Sequence, residues 1–388
     1  MKALVFKGEH LPPQDRLRLE DVPTPEIKKA YQVLIQVDLF ALDEFDVRVV
    51  GGLIPGNPPI VMGRDVVGTI VAIGEEVDTN HVNVGDRVVV DPHITCPDQF
   101  SPGRQARERH RYCLPCKSGL EEHCRILKLG NTLGLDLDGG AAGLLVAPQG
   151  SCHVVPPGIE ERTALLAGTT ADVVRGMDQG GADERESVLI LGGGPLATLF
   201  AAVVRTRGSR FAFHEENGAL ADRLESLVDR PELVIRTRSH APDAATRLKD
   251  DLSILEMKLA EVDFPTQPDL VVDTTGRLAD RAIGACRPGG RALLLGRDPT
   301  APGLLIQPHD IVVQGKTVIG STMGKGYYPR ALQSLAREID FVGRHLPEPM
   351  PMELALESGW PRIGFDPASG SSCLPRDIKL VIRPARPT

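Results

Sequence analysis

The segment Ser187-Val188-Leu189-Ile190-Leu191-Gly192-Gly193-Gly194-Pro195-Leu196-Ala197 constrains this chain more than any other. Ser187 to Leu191 reads as a buried strand, and Leu196 to Thr206 as a helix. Between them Gly192, Gly194 and Ala197 fit the pattern G-x-G-x-x-A, with Pro195 and Leu196 also placed at the cofactor. The first glycine permits a tight turn and the second lets backbone approach a pyrophosphate. The small third residue lets helix and strand pack closely. The acidic residue that such a turn needs for a ribose stands about twenty residues further on, as Glu215 in Phe213-His214-Glu215-Glu216-Asn217. A carboxylate there accepts from ribose hydroxyls and repels a 2′-phosphate, which favours NAD. NADP stays open, because His214 or a rotation of the loop reverses the preference.

Strand and helix patterns alternate around this turn. Phe211 to Phe213, Leu233 to Ile235, Asp269 to Asp273 and Arg291 to Gly296 read as strands, and Ala219 to Val228 as a helix, so a parallel sheet of βαβ units is expected. The first 150 or so residues differ. Val33 to Val37, Val66 to Ile73 and Arg87 to Val90 are β-rich runs separated by Gly, Pro and Asp, as in a partly closed barrel. One helix, Pro329 to Phe341, and a strand, Ile378 to Ile382, follow near the end. At 388 residues two domains are the expectation. A net charge of −8 excludes a general attraction for nucleic acid or anionic lipid. The longest apolar stretch, Val188 to Val204, is broken by the glycine turn and is not a membrane span. The opening run Met1-Lys2-Ala3-Leu4-Val5-Phe6-Lys7 reads as a short strand rather than a signal peptide. Seven unevenly spaced cysteines do not form a secreted disulfide framework, so the cytoplasm is the expected location.

Several segments in order resemble the medium-chain dehydrogenase/reductase family and its zinc-type alcohol dehydrogenases. Pro59-Ile60-Val61-Met62-Gly63-Arg64-Asp65-Val66-Val67-Gly68 is similar to that family's P-x-x-x-G-H-E-x-x-G. Val84-Gly85-Asp86-Arg87-Val88 matches its V-G-D-R-V turn. Asp269 to Gly276, Pro288 to Arg291, Gly315 to Ser321 and Ile378 to Val381 resemble its later strands. The resemblance implies an α/β chain: a GroES-like β-barrel substrate domain over residues 1–162, a Rossmann doubly wound parallel sheet over 163–321, and a return to the barrel over 322–388. It also implies that Lys379 lies near the cofactor pyrophosphate. Cys113-x2-Cys116-x7-Cys124 has the spacing of the last three cysteines of the family's structural zinc lobe, placed here at about residues 92–126. Cys96 stands where the first is found, but residues 97–112 are inserted after it. His110 is the rival fourth ligand, and one structural zinc held by Cys96, Cys113, Cys116 and Cys124 is the preferred reading. Arg104, Arg107, Arg109 and Arg111 in the insert read as a solvated face.

The family's catalytic zinc sits among a Cys of C-x-x-D, the His and Glu of G-H-E, and a later Cys or Glu. The matching positions here are Asp43, in Asp43-Glu44-Phe45-Asp46, then Arg64 and Asp65, while Leu165 to Thr170 offers no ligand. A guanidinium cannot ligate a metal and repels one. Arg64 could instead stand as a permanent cation, held by Asp43, Asp46 or Asp65 and donating to a substrate oxygen. In the blander alternative, Arg64 and Asp65 are a structural pair and hydride transfer relies on positioning. Thr169 and Thr170 lie where the family meets nicotinamide, although buried helix-start threonines explain them equally. Arg48 could recognise an anionic substrate, and Tyr327 or Tyr328 could donate a proton. The resemblance implies an NAD(P)-dependent oxidoreductase acting on a small molecule, a carbonyl, alcohol or conjugated alkene, and a homodimer joined near Val318. Two alternatives remain: a zinc alcohol or polyol dehydrogenase with unusual ligands, and a nucleotide-binding protein without redox turnover.

Overall fold

The computed structural model describes residues 1–227, 234–236, 243–301, 303, 306–337, 343, 346–363, 365–366, 371–372 and 379–386. Val228, Leu233, residues 338–341 and Ile378, which belong to elements expected from the sequence, lie outside them. The chain divides into two compact units, Met1–Gly168 with Leu346–Thr388, and Thr169–His345.

In the first unit, β1 (Lys2–Phe6) lies between β2 (Leu17–Asp21) and β4 (Ile60–Val61). The larger sheet is built on β3 (Gln32–Leu42), in which buried and half-buried residues alternate before a fully buried end. One edge of β3 pairs antiparallel with β5 (Asp65–Ile73), which continues to β6 (Arg87–Val90) and β8 (Cys152–Val154). The other edge is shared. Its first half pairs with β7 (Leu144–Pro148), and its second half with the strand Leu380–Arg383, Leu380 standing opposite Leu42. Phe6, Ile35, Phe40, Ile70, Trp360 and Leu380 fill the core between these sheets. Residues early and late in the sequence therefore join one sheet.

The second unit holds a six-stranded parallel sheet. Its strands are β9 (Ser187–Leu191), β10 (Arg210–His214), β11 (Val234–Ile235), β12 (Leu270–Asp273), β13 (Arg291–Leu294) and β14 (Thr317–Gly320). Their spatial order is β11-β10-β9-β12-β13-β14. That is the 3-2-1-4-5-6 order of a dinucleotide-binding sheet, with its switch point between β9 and β12. Every residue of β9 is buried: Val188 to Leu191 is an unbroken apolar run, and Ser187 donates to Asp269.

The return to the barrel begins at Leu346 rather than at residue 322. The reason is local packing. Asp172, in the helix Ala167–Gly180, accepts from the Gly324 backbone N–H, and a Cβ on Gly324 would collide with the Ala171 side chain. Arg330, in the helix Tyr328–Arg337, pairs with Asp178 of the helix Ala167–Gly180. Residues 322–337 are thus fastened to the second unit.

Candidate active site

At the switch-point end of β9, Gly192 has φ +109, and Gly193 approaches Glu215 so closely that a Cβ would lie 2.7 Å from its Oε2. The backbone at Gly192 favours glycine, and a side chain on Gly193 would displace Glu215. The helix Pro195–Thr206 starts with proline and has no side-chain cap, and a Cβ on Gly194 would meet nothing within 4 Å. Amides of its first turn, including those of Leu196 and Ala197, are therefore open to an anion. Glu215 follows β10 directly. Its Oε1 accepts from the Asn217 N–H at 2.7 Å. Burial pushes the Glu215 carboxyl above its ordinary range, against the backbone N–H groups of Asn217 and Gly193. The neighbouring Glu216 turns away to Arg281 at 3.0 Å, which also holds the buried Asp251. These residues fit a dinucleotide: an open helix start for phosphate and one carboxylate beside the glycine turn.

In the first unit, three strand ends bring a charge cluster together. Asp43 follows the last residue of β3, Asp65 begins β5, and Lys379 precedes the strand Leu380–Arg383. Gly63, at φ +91, makes the corner before Arg64, and a Cβ there would lie 2.5 Å from the Ala141 backbone nitrogen. Asp43 caps the helix α1 (Glu44–Val50): its side chain accepts from Phe45 N–H, and Asp46 accepts from the Asp43 N–H at 2.9 Å. The half-buried Arg64 lays its guanidinium over the Phe45 ring, 3.5 Å from the centroid. Lys379, 1% exposed, donates to Asp43 Oδ2 at 3.2 Å and also to Asp65 Oδ2. Burial opposes the charge of Asp43, but the cations of Lys379 and Arg64 hold its carboxyl below the ordinary value. Asp46 behaves oppositely. Burial, with the Asp43 charge adding to it, pushes its carboxyl up to about 7, and its Oδ1 has no hydrogen-bond partner among the described residues.

Asp43, Arg64, Asp65 and Asp46 are thus brought together, and Lys379 joins them. Thr170 is fully buried, with no hydrogen-bond partner for Oγ1 among the described residues, and Thr169 is half-buried. Arg48 pairs with Glu44 at 2.6 Å. Tyr328 is buried in its helix, and the Tyr327 ring lies between Arg175 and Arg330. Sequence reasoning passed over Phe45. Its signal was present, since an aspartate cap with an acid three residues on marks a helix start and puts residue 45 in the first turn.

The sulfur atoms of Cys96, Cys113, Cys116 and Cys124 all lie within 4.8 Å of one another. Cys124 Sγ is 3.6 Å from Cys96 Sγ and 3.8 Å from Cys113 Sγ. A disulfide would need about 2.0 Å, whereas a tetrahedron of thiolates at the usual zinc–sulfur distance has edges of about 3.8 Å. The donor set fits zinc. The inserted residues form the helix Pro102–Glu108 and leave the four sulfurs together. His110 is exposed and turned to the Arg107 carbonyl, 3.0 Å away, so it is not the fourth member. Arg104 pairs with Glu76 and Arg111 stacks over Phe100, as suits a solvated face.

Residues 29–157 match the alcohol dehydrogenase GroES-like domain. D-xylulose reductase A of Aspergillus oryzae is 25% identical over 329 residues, 82% of each chain. The fold matches an E. coli CFT073 alcohol dehydrogenase solved with NADH, at TM-score 0.75 and 19% identity over 99% of both chains. It also matches a Sinorhizobium meliloti 1021 protein solved with NADP, at TM-score 0.77 and 21% identity over 99% of both chains. The chain carries the GroES-like domain of alcohol dehydrogenases and resembles the medium-chain dehydrogenase/reductase family. A member of this family is an NAD(P)-dependent oxidoreductase, and the GroES-like barrel and Rossmann sheet expected from the sequence are both present. Among the described residues, no helix is long and apolar enough to cross a membrane.

Proposed function

We propose that the chain transfers hydride between NAD(H) and a small carbonyl, alcohol or conjugated alkene without a catalytic zinc. The observation that carries this reading is the cluster itself: Lys379 bonds Asp43 and Asp65, and Arg64, lying on the Phe45 ring, adds a second fixed cation beside Asp43. Among the described residues, the four cysteines are the group of three or more candidate metal ligands that converge. Bound nicotinamide would supply the hydride chemistry. Gly192, Gly194, Pro195, Leu196 and Ala197 receive the pyrophosphate, Glu215 the ribose, and Thr169 and Thr170 the nicotinamide side. Arg64, steadied by Phe45, Asp43, Asp46 and Asp65, donates to the substrate oxygen and stabilises the negative charge that grows there. Cys96, Cys113, Cys116 and Cys124 hold one structural zinc. The ketose named for the fungal relative makes ketoses and polyols the first substrates to try. The protein acts as a cytoplasmic homodimer.

Two measurements on the purified protein test the reading. Metal analysis should return one zinc per chain, and a second would overturn the zinc-free site. With the best substrate from a panel of aldehydes, enones and sugar ketones, Arg64→Gln should lower kcat on the order of 100-fold, as loss of one charge-stabilising donor does. Unchanged turnover in that variant would leave the positioning-only alternative.

A further inference from the structure

The family resemblance assigns Lys379 to the cofactor, yet its geometry serves something else. An ammonium has three N–H donors. Here hydrogen bonds go to Asp43 Oδ2 and Asp65 Oδ2, and 1% exposure leaves almost no surface for a phosphate. Burial alone would discharge this lysine. The charges of Asp65 and Asp43 more than offset that and raise its pKa well above the ordinary value, so the ammonium persists through the working pH range.

Both carboxylates that it bridges adjoin Arg64. Asp65 is the next residue in the chain, and Asp43 caps the helix turn whose Phe45 ring supports the guanidinium. The bridge therefore fixes the two flanks of Arg64, one on β5 and one on α1, from a third strand. Lys379 and Arg64 together supply two positive charges, the formal charge of a divalent ion. One of them is buried and structural, and the other is half-buried on an aromatic face.

We propose that Lys379 is a positioning residue for Arg64, acting through Asp43 and Asp65, and not a ligand of the cofactor. The inference rests on the zinc-free reading above. Its test separates cofactor binding from turnover. In Lys379→Met, the NADH dissociation constant from fluorescence titration should stay within about twofold of wild type, while kcat at saturating NADH should fall on the order of 100-fold. Lys379→Arg, which keeps the charge, should recover much of that loss, a response that removal of a merely space-filling side chain would not show. Asp65→Asn cuts the same bridge from the other side and should give the same split. It decides the matter if Lys379→Met does not fold. A tenfold or greater rise in the NADH dissociation constant, or a kcat within twofold of wild type, overturns the proposal. Failure of the zinc-free reading registers separately, as a second zinc in the wild-type protein.

Discussion

Asp46 is the residue whose burial has the plainest thermodynamic consequence. Its carboxyl stands at about 7 in the folded protein against an ordinary value of 3.8, through burial first and the Asp43 charge second. Between those two values the folded state holds a proton that the unfolded state has released. Stability therefore falls as pH rises across that window, and the full penalty remains above it. In Asp46→Asn, where an amide oxygen can still accept from the Asp43 N–H, the penalty disappears. The variant should match wild type in chemical denaturation near pH 4, gain steadily toward pH 7 and keep its advantage above that. A constant difference at every pH would mean that Asp46 is already ionised in the folded protein. The identity of Arg64 and Asp65 in place of His and Glu was visible in the sequence, because the motif around them is local. The resemblance put Lys379 near the cofactor pyrophosphate, but its pairing with Asp43 and Asp65 was not legible, because those partners are set by how the strand Leu380–Arg383 registers on β3. Such pairing leaves no trace in the residues around position 379.

Elements with their own periodicity could be read directly. β6 and β9 were expected over the residues where they stand, and the helix after the glycine turn begins one residue earlier than expected, at Pro195. β3 runs five residues past its expected end, because Leu39 to Leu42 is buried between β5 and the closing strand and has no alternation to show. The cysteine lobe is the opposite case, with little regular structure and a small core of Cys96, Tyr112, Cys116 and Cys124, joined by Phe100, Ile126 and Leu127. A lobe with so small a core depends on a bound metal for much of its stability wherever it holds one. Cys124→Ser should abolish zinc retention through gel filtration, lower Tm on the order of 10 °C and open residues 97–126 to limited proteolysis. Zinc retained at one per chain would place the ion elsewhere.

At the scale of the whole molecule, β14 ends the parallel sheet as an edge with Val318 39% exposed. In the adjoining helix Pro308–Gln314, Val312 and Val313 are 78% and 69% exposed. An apolar edge strand invites pairing with another copy. Val318→Lys should therefore convert a dimer to a monomer in analytical ultracentrifugation, with NADH binding retained. A wild-type monomer at micromolar concentration would refute the assembly. The hydrogen bond from Lys379 to Asp43 spans 336 positions along the chain. During synthesis from the N-terminus, the two aspartates emerge long before their ammonium does, and the whole dinucleotide-binding unit is made in between. A nascent chain thus carries this cluster with Arg64 as its one early cation until nearly the end of translation, so a chain cut short ahead of residue 379 would keep two carboxylates that share a single positive charge.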